Sequence, residues 1–151
     1  MYFPMTFLAF IVFILAVFSH TASAKVDPAD CLHGEQPVID NACDRNACTG
    51  DLRLLVYAIR LAENGPPGRE FGIENDDADD LDKQAGWCAA TVTKNYARWI
   101  HDGRPGEFIV YLGNRYAPPD LDPKNRNWVG NVMNWYTKFN GHSFKGTACP
   151  N

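Results

Sequence analysis

DLRLLVYAIRLAENGPPGREFG, residues 51–72, decides how the chain is read. Leu52, Leu55, Val56, Ile59 and Ala62 recur at i, i+3, i+4, i+7 and i+10, one stripe of a helix with about 3.6 residues per turn. Glu63 continues that stripe, four residues after Ile59, so the spacing aims its carboxyl at the apolar packing side. Asn64-Gly65 offers a left-handed cap, and Pro66-Pro67 forbids continuation of the helix. A carboxylate placed there is partly desolvated and sits at the negative end of the helix dipole, and both effects raise a carboxyl pKa. A glutamate that stays protonated near neutrality can hand a proton to a leaving group, which makes Glu63 the candidate general acid. The competing reading is a glutamate on a solvated helix end.

Upstream, residues 25–50 hold Cys31, Cys43 and Cys48 among Pro, Asp and Asn without periodicity. They read as a cysteine-containing N-terminal arm stapled to a domain spanning 51–151. Asp51 is the expected N-cap of the helix, with Thr49 as the alternative. Residues 1–24 are of another kind: Phe7 to Phe18 is an unbroken apolar run, and Ala22-Ser23-Ala24 are the small residues a signal peptidase reads. They are expected to be a signal peptide, and the protein to be secreted or periplasmic. The run is shorter than the roughly 18 to 20 residues of a membrane span; together with residues 1–6 it would serve as an uncleaved anchor. Membrane contact is expected only through this segment.

All five cysteines, Cys31, Cys43, Cys48, Cys88 and Cys149, follow that segment, where an oxidising compartment favours disulfides. Their pairing is open, and the odd number leaves one over. Cys88, among Ala and Val in a helical pattern, reads as a free buried thiol, and the others as tethers of the chain ends. Cys31, His33, Cys43 and Cys48 fit no zinc template, so no metal is expected.

Downstream of Glu63, Phe71-Gly72-Ile73 suits a turn or a small β-hairpin. Residues 74–82 contain Glu74, Asp76, Asp77, Asp79, Asp80 and Asp82. They read as a solvated loop feeding a helix N-terminus that Asp79 or Asp80 caps, while a calcium loop would need a glycine and a terminal glutamate that are missing. In a third reading one of these acids faces Glu63 across a cleft. Apolar spacing predicts further helices from Leu81 to Ile100, from about Glu107 to Tyr116, and from about Arg126 to Phe139 with Asn140-Gly141 as its cap. The expected fold class is therefore mainly α. A formal charge of −4 with no basic cluster argues against nucleic acid as a partner.

Two blocks of residues carry a likeness to a known family. Ala62-Glu63-Asn64-Gly65 followed by Phe71-Gly72-Ile73 resembles the helix-end glutamate and glycine turn of the lysozyme-like superfamily, in particular its soluble lytic transglycosylase branch. Leu112-Gly113-Asn114-Arg115-Tyr116-Ala117-Pro118, then Asp122, Asn127-Trp128-Val129 and Asn131-Val132, resembles the carboxy-terminal signature of small bacterial transglycosylase-like proteins. The resemblance implies a lysozyme-like helical domain with a cleft for peptidoglycan or a related N-acetylated glycan. It also implies Glu63 as sole general acid/base and no cofactor. The chain departs from the family pattern in having Asn64 where Ser is usual, and Gly72-Ile73-Glu74 for a longer turn.

Gly72, with the aromatics Tyr96, Tyr111, Tyr116 and Trp128, makes up the candidate substrate-binding set; ring faces stack on pyranoses, and core packing is the alternative use of each. Two further functions stay open. One is a hydrolytic lysozyme with a second acid among Asp76 to Asp82, and the other is a catalytically inactive glycan-binding module. The signal reading has its own check: mass spectrometry of the exported protein should find an N-terminus at or near Lys25, whereas full-length chain in the membrane fraction would make the apolar run an anchor.

Overall fold

Six helices make up the described part of the chain: α1 (Pro28–Leu32), α2 (Gln36–Arg45), α3 (Asp51–Glu63), α4 (Leu81–His101), α5 (Phe108–Tyr116) and α6 (Asn125–Asn140). The computed structural model describes residues 25–116, 118, 120 and 125–144, without the side chains of 125 and 126. The expected signal peptide, Asp122 and Cys149 lie outside these residues. Among the described residues no helix is long and apolar enough to cross a membrane.

Helix α3 is the axis of the domain. Leu55, Val56, Tyr57, Ala58 and Ile59 are all buried, so its middle turns are enclosed on every side by α6, α4, α2 and α1. Its end is as the sequence predicts: Asn64 is left-handed (φ 46°, ψ 38°), and its N–H donates to the Arg60 carbonyl at 3.1 Å. Its start differs. The N-cap is Gly50, at φ 55°, with no side-chain cap, and Asp51 is the first helical residue. The Asp51 carboxylate instead meets Asn140 Nδ2 at 3.5 Å, which ties the start of α3 to the end of α6.

The start of α4 confirms the capping role of the acidic loop. Asp80 accepts from the Lys83 N–H at 2.8 Å, Asp79 pairs with Lys83 Nζ at 2.5 Å, and Asp82 pairs with Arg45 of α2 at 2.7 Å. Within α4, Ala85, Cys88, Ala89, Val92 and Trp99 are buried, and the helix lies along α2 on one side and α3 and α5 on others.

Two expectations are corrected. Residues 25–50 are not an irregular arm, because they form α1 and α2, each with a proline in its first turn and α1 with Asp27 as N-cap. Leu32, Ile39, Ala42, Cys43 and Cys48 are fully buried in the main core. The cysteines there act as small apolar residues. The second correction concerns the hairpin after Glu63: no strand occurs among the described residues, and that stretch is a succession of turns. Cys31, Cys43, Cys48 and Cys88 are all unpaired, so the disulfide tethers expected of Cys31, Cys43 and Cys48 do not form among the described residues, whereas Cys88 is free and buried as expected.

Several buried groups resist ionisation. Burial pushes the Cys88 thiol and the Tyr116 phenol well above their ordinary values of 9.0 and 10.0, and burial likewise raises Tyr57 and Tyr136. The unfolded chain ionises these groups where the fold does not. Stability fully present below about pH 9 should therefore be lost as pH rises, by about 1.4 kcal/mol per pH unit for each group once its unfolded form is ionised. Urea denaturation from pH 8 to 11 should show a decline that begins near pH 9 and steepens beyond pH 10; a flat profile would contradict this account.

Candidate active site

The loop between α3 and α4 has no regular structure, so its backbone groups need partners from elsewhere. Gln84, on the first turns of α4 and fully buried, supplies them. Its Oε1 accepts from the N–H groups of Phe71 and Ile73, each at 3.3 Å, and its Nε2 donates to the carbonyls of Gly68 (3.2 Å), Ile73 (2.9 Å) and Ala78 (2.5 Å). Arg69 adds donors to the carbonyls of Ile73 at 3.2 Å and Asn75 at 2.9 Å. Arg60, paired through two nitrogens with Glu35 at 2.6 and 2.8 Å, reaches the Glu70 carbonyl at 3.4 Å. The turn after α3 is tight enough that a Cβ on Gly65 would lie 1.7 Å from the Arg69 carbonyl oxygen.

This loop lays Gly72 against Glu63. Gly72 is exposed at φ +66°, and a Cβ there would stand 2.6 Å from Glu63 Oε2, so only glycine allows the approach. Glu63 is half-buried in the last turn of α3, and Trp128 Nε1 donates to its Oε1 at 2.5 Å. The indole is placed by close packing of α5 on α6: a Cβ on Gly113 would come within 2.6 Å of Val129 Cγ2 and 3.2 Å of the Trp128 ring. Tyr116 stacks on Trp128, with centroids 5.1 Å apart and planes 22° from parallel, and its hydroxyl donates to the Phe71 carbonyl at 2.8 Å. Burial first, then the negative charges that Cys88 and Glu63 can carry, hold the Tyr116 phenol neutral. It is therefore a donor at ordinary pH.

Two concavities meet at this point. One, of about 640 Å³, is lined by Gly65, Pro66, Arg69, Gly72, Glu74 and Asp76. The other, of about 320 Å³, is lined by Gly72, Ile73, Glu74, Trp87, Thr91, Arg115 and Tyr116. They share Gly72 and Glu74; Glu63 and Trp128 line neither, and it is Gly72, against the Glu63 carboxyl, that links them to the concavities.

The structure thus brings together Glu63, Gly72, Tyr116 and Trp128 of the predicted set. It does not bring Tyr96 or Tyr111. Tyr96 belongs to an aromatic cluster with Trp99, Phe108 and Phe144, and the Tyr111 hydroxyl donates to Asp102 at 2.8 Å beneath the Arg115 guanidinium. Neither lines the two concavities. Of the acids between 76 and 82, Asp76 lines the groove and contacts Arg69 at 3.4 Å, whereas Asp79, Asp80 and Asp82 serve the start of α4. Sequence reasoning missed Gln84 and Trp87 and did not single out Glu74 for the groove. Among the described residues no cluster of His, Cys, Asp and Glu could hold a metal ion.

No protein-family model, curated protein or solved structure matches the chain.

Replacing Gln84 by Leu keeps side-chain bulk but leaves the Phe71 and Ile73 N–H groups and the Gly68 and Ala78 carbonyls without their partner, while the Ile73 carbonyl keeps Arg69. Each buried polar group so orphaned costs about 1 to 3 kcal/mol, so the loss should reach about 3 kcal/mol or more even where water rescues some of them. Urea denaturation measures the loss, and the Phe71 and Ile73 amides should exchange with deuterium faster. Unchanged stability and protection would show that the loop is held by other contacts.

Proposed function

We propose that the protein is a lysozyme-like lytic transglycosylase that cleaves peptidoglycan, with Glu63 as its general acid and base. The observation that carries the reading is the setting of Glu63: a half-buried carboxyl at a helix end, hydrogen-bonded by Trp128 and lying against Gly72, a residue that lines two concavities. Such a carboxyl is oriented and partly shielded from water, as a proton donor to a glycosidic oxygen must be.

The chemistry then needs one acid. Glu63 gives its proton to the bridging oxygen as the C1–O bond breaks, and the substrate's own N-acetyl oxygen stabilises the sugar cation. The sugar's 6-hydroxyl next attacks C1, and its proton passes to the Glu63 carboxylate. A C1–O6 bond replaces the one broken, no water is consumed, and the enzyme regains its starting protonation state. Trp128 would hold the carboxyl in one orientation through both transfers, and Tyr116 would support the indole by stacking.

A second reading has its own support. Glu74 lines both concavities and Asp76 lines one, so either supplies the extra carboxylate of a hydrolase, which lies about 5 Å from the acid in retaining enzymes and about 6.5 to 9.5 Å in inverting ones. The product separates the two. Mass spectrometry of digested wall glycan should show anhydro ends, and reducing ends would replace the transglycosylase with the hydrolase. Glu63→Gln cannot donate the proton, so cleavage should fall by about 100-fold or more while glycan binding survives. Equal cleavage by the variant would sink the assignment of Glu63. Binding without cleavage by the wild-type protein would make the domain an inactive glycan-binding module.

A further inference from the structure

We infer that Trp87 and the trough beside it on α4 form a remote glycan subsite, so that the protein engages an internal stretch of a chain and not only its end. The inference rests on the glycan reading of the groove at Glu63 and extends it along the surface.

Trp87 is 44% exposed in the second turn of a 21-residue helix, whereas the helix's other tryptophan, Trp99, is 4% exposed. It stands between two hollows. On one side is the concavity at Gly72, and on the other a trough of about 460 Å³ lined by Asn46, Gly86, Trp87, Ala90, Thr91 and Lys94. Trp87 and Thr91 line both, so the trough adjoins the concavity at Gly72. Gly65, Pro66 and Arg69 lie at the opposite end. Three hollows thus adjoin in order, with Gly72, which lies against Glu63, between the first two and the indole between the second and third.

The composition of the trough fits a sugar. Gly86 lies inside a helix at an ordinary backbone angle, and a Cβ there would meet only the flexible end of Arg45, at 4.0 Å. Neither packing nor conformation calls for glycine, which costs about 1 kcal/mol relative to alanine in a helix interior. Its effect is to keep the floor low beside the indole, with Ala90 one turn on. A flat aromatic wall over a low floor accepts the apolar face of a pyranose. Polar groups rim it: Asn46, whose Nδ2 is anchored on the Ala42 carbonyl at 2.8 Å, presents its amide oxygen to a sugar N–H or O–H. Thr91 offers a hydroxyl. Lys94 has no ion pair among the described residues and suits the carboxylates that wall glycans carry. From Trp87 to Lys94 the helix rises about 10 Å, room for a short run of sugars.

Calorimetry with trimeric and hexameric N-acetylglucosamine tests this, using the Glu63→Gln protein to prevent turnover. The hexamer should bind at least 10-fold more tightly than the trimer. Filling the floor with Gly86→Leu should bring the hexamer down to the trimer's affinity and leave the trimer unchanged, and Trp87→Ala should likewise abolish the preference for the hexamer. Both positions are at the surface, and an unaltered circular dichroism spectrum checks that the fold is kept. A length preference that survives both substitutions overturns the subsite. Failure of the catalytic reading looks different: Glu63→Gln would still cleave while the length preference disappeared with Trp87. Binding of neither oligomer would overturn both.

Discussion

One side-chain amide organises the region between α3 and α4. A loop of this length could satisfy its backbone by forming a hairpin, and its sequence permits one, yet the groups that a hairpin would pair are taken by Gln84. Because Gln84 belongs to α4 while the loop it holds overlies the end of α3, a single residue sets the loop against both helices. The amide is suited to this because it accepts and donates at once without carrying charge, so burying it introduces no ion to be desolvated.

How much of this was legible in the sequence depends on the range of the interaction. The helix ending at Glu63, its left-handed Asn64, and the spans of α4, α5 and α6 follow from local spacing and caps, and these match to within a residue or two. Helices α1 and α2 were hidden because both are short and open on proline, and because they bury only a few apolar residues, Leu32 in α1 and Ile39, Ala42 and Cys43 in α2. Gln84 gave no local signal at all: a glutamine in the first turns of a helix reads as a solvated residue, and only the folded loop shows its use. Asp51 was misjudged for a related reason, since its partner, Asn140, is 89 residues away.

The candidate site mixes the two cases. Glu63 and Gly72 belong to one continuous stretch, and their juxtaposition follows from a helix end and a turn. Trp128 comes from 65 residues further on, and its approach to Glu63 depends on Gly113, which lets α5 and α6 close together. The aromatics divide by the same logic. Tyr116 and Trp128 sit where α5 and α6 meet the loop, whereas Tyr96 faces inward on α4 and Tyr111 turns toward Asp102. Residue type marked all four as candidates, and only the packing of the helix ends selects two.

The buried thiols bear on how the molecule comes to exist. Hydrogen bonding to Cys48 and then burial keep the Cys43 thiol protonated, and burial does the same for Cys88. The thiolate is the species that exchanges with disulfides, so in the finished core Cys43 and Cys88 are chemically quiet, whereas the hydrogen bond with Cys43 draws the Cys48 thiol below its ordinary value. The nascent chain has no such protection. In an oxidising compartment its cysteines are open to cross-linking from the moment they emerge, and α2 must dock on α4 before an oxidant reaches them. For such a chain the yield of native protein is set by a race between helix docking and thiol oxidation, and the hydrophobic core acts as the clock as well as the scaffold.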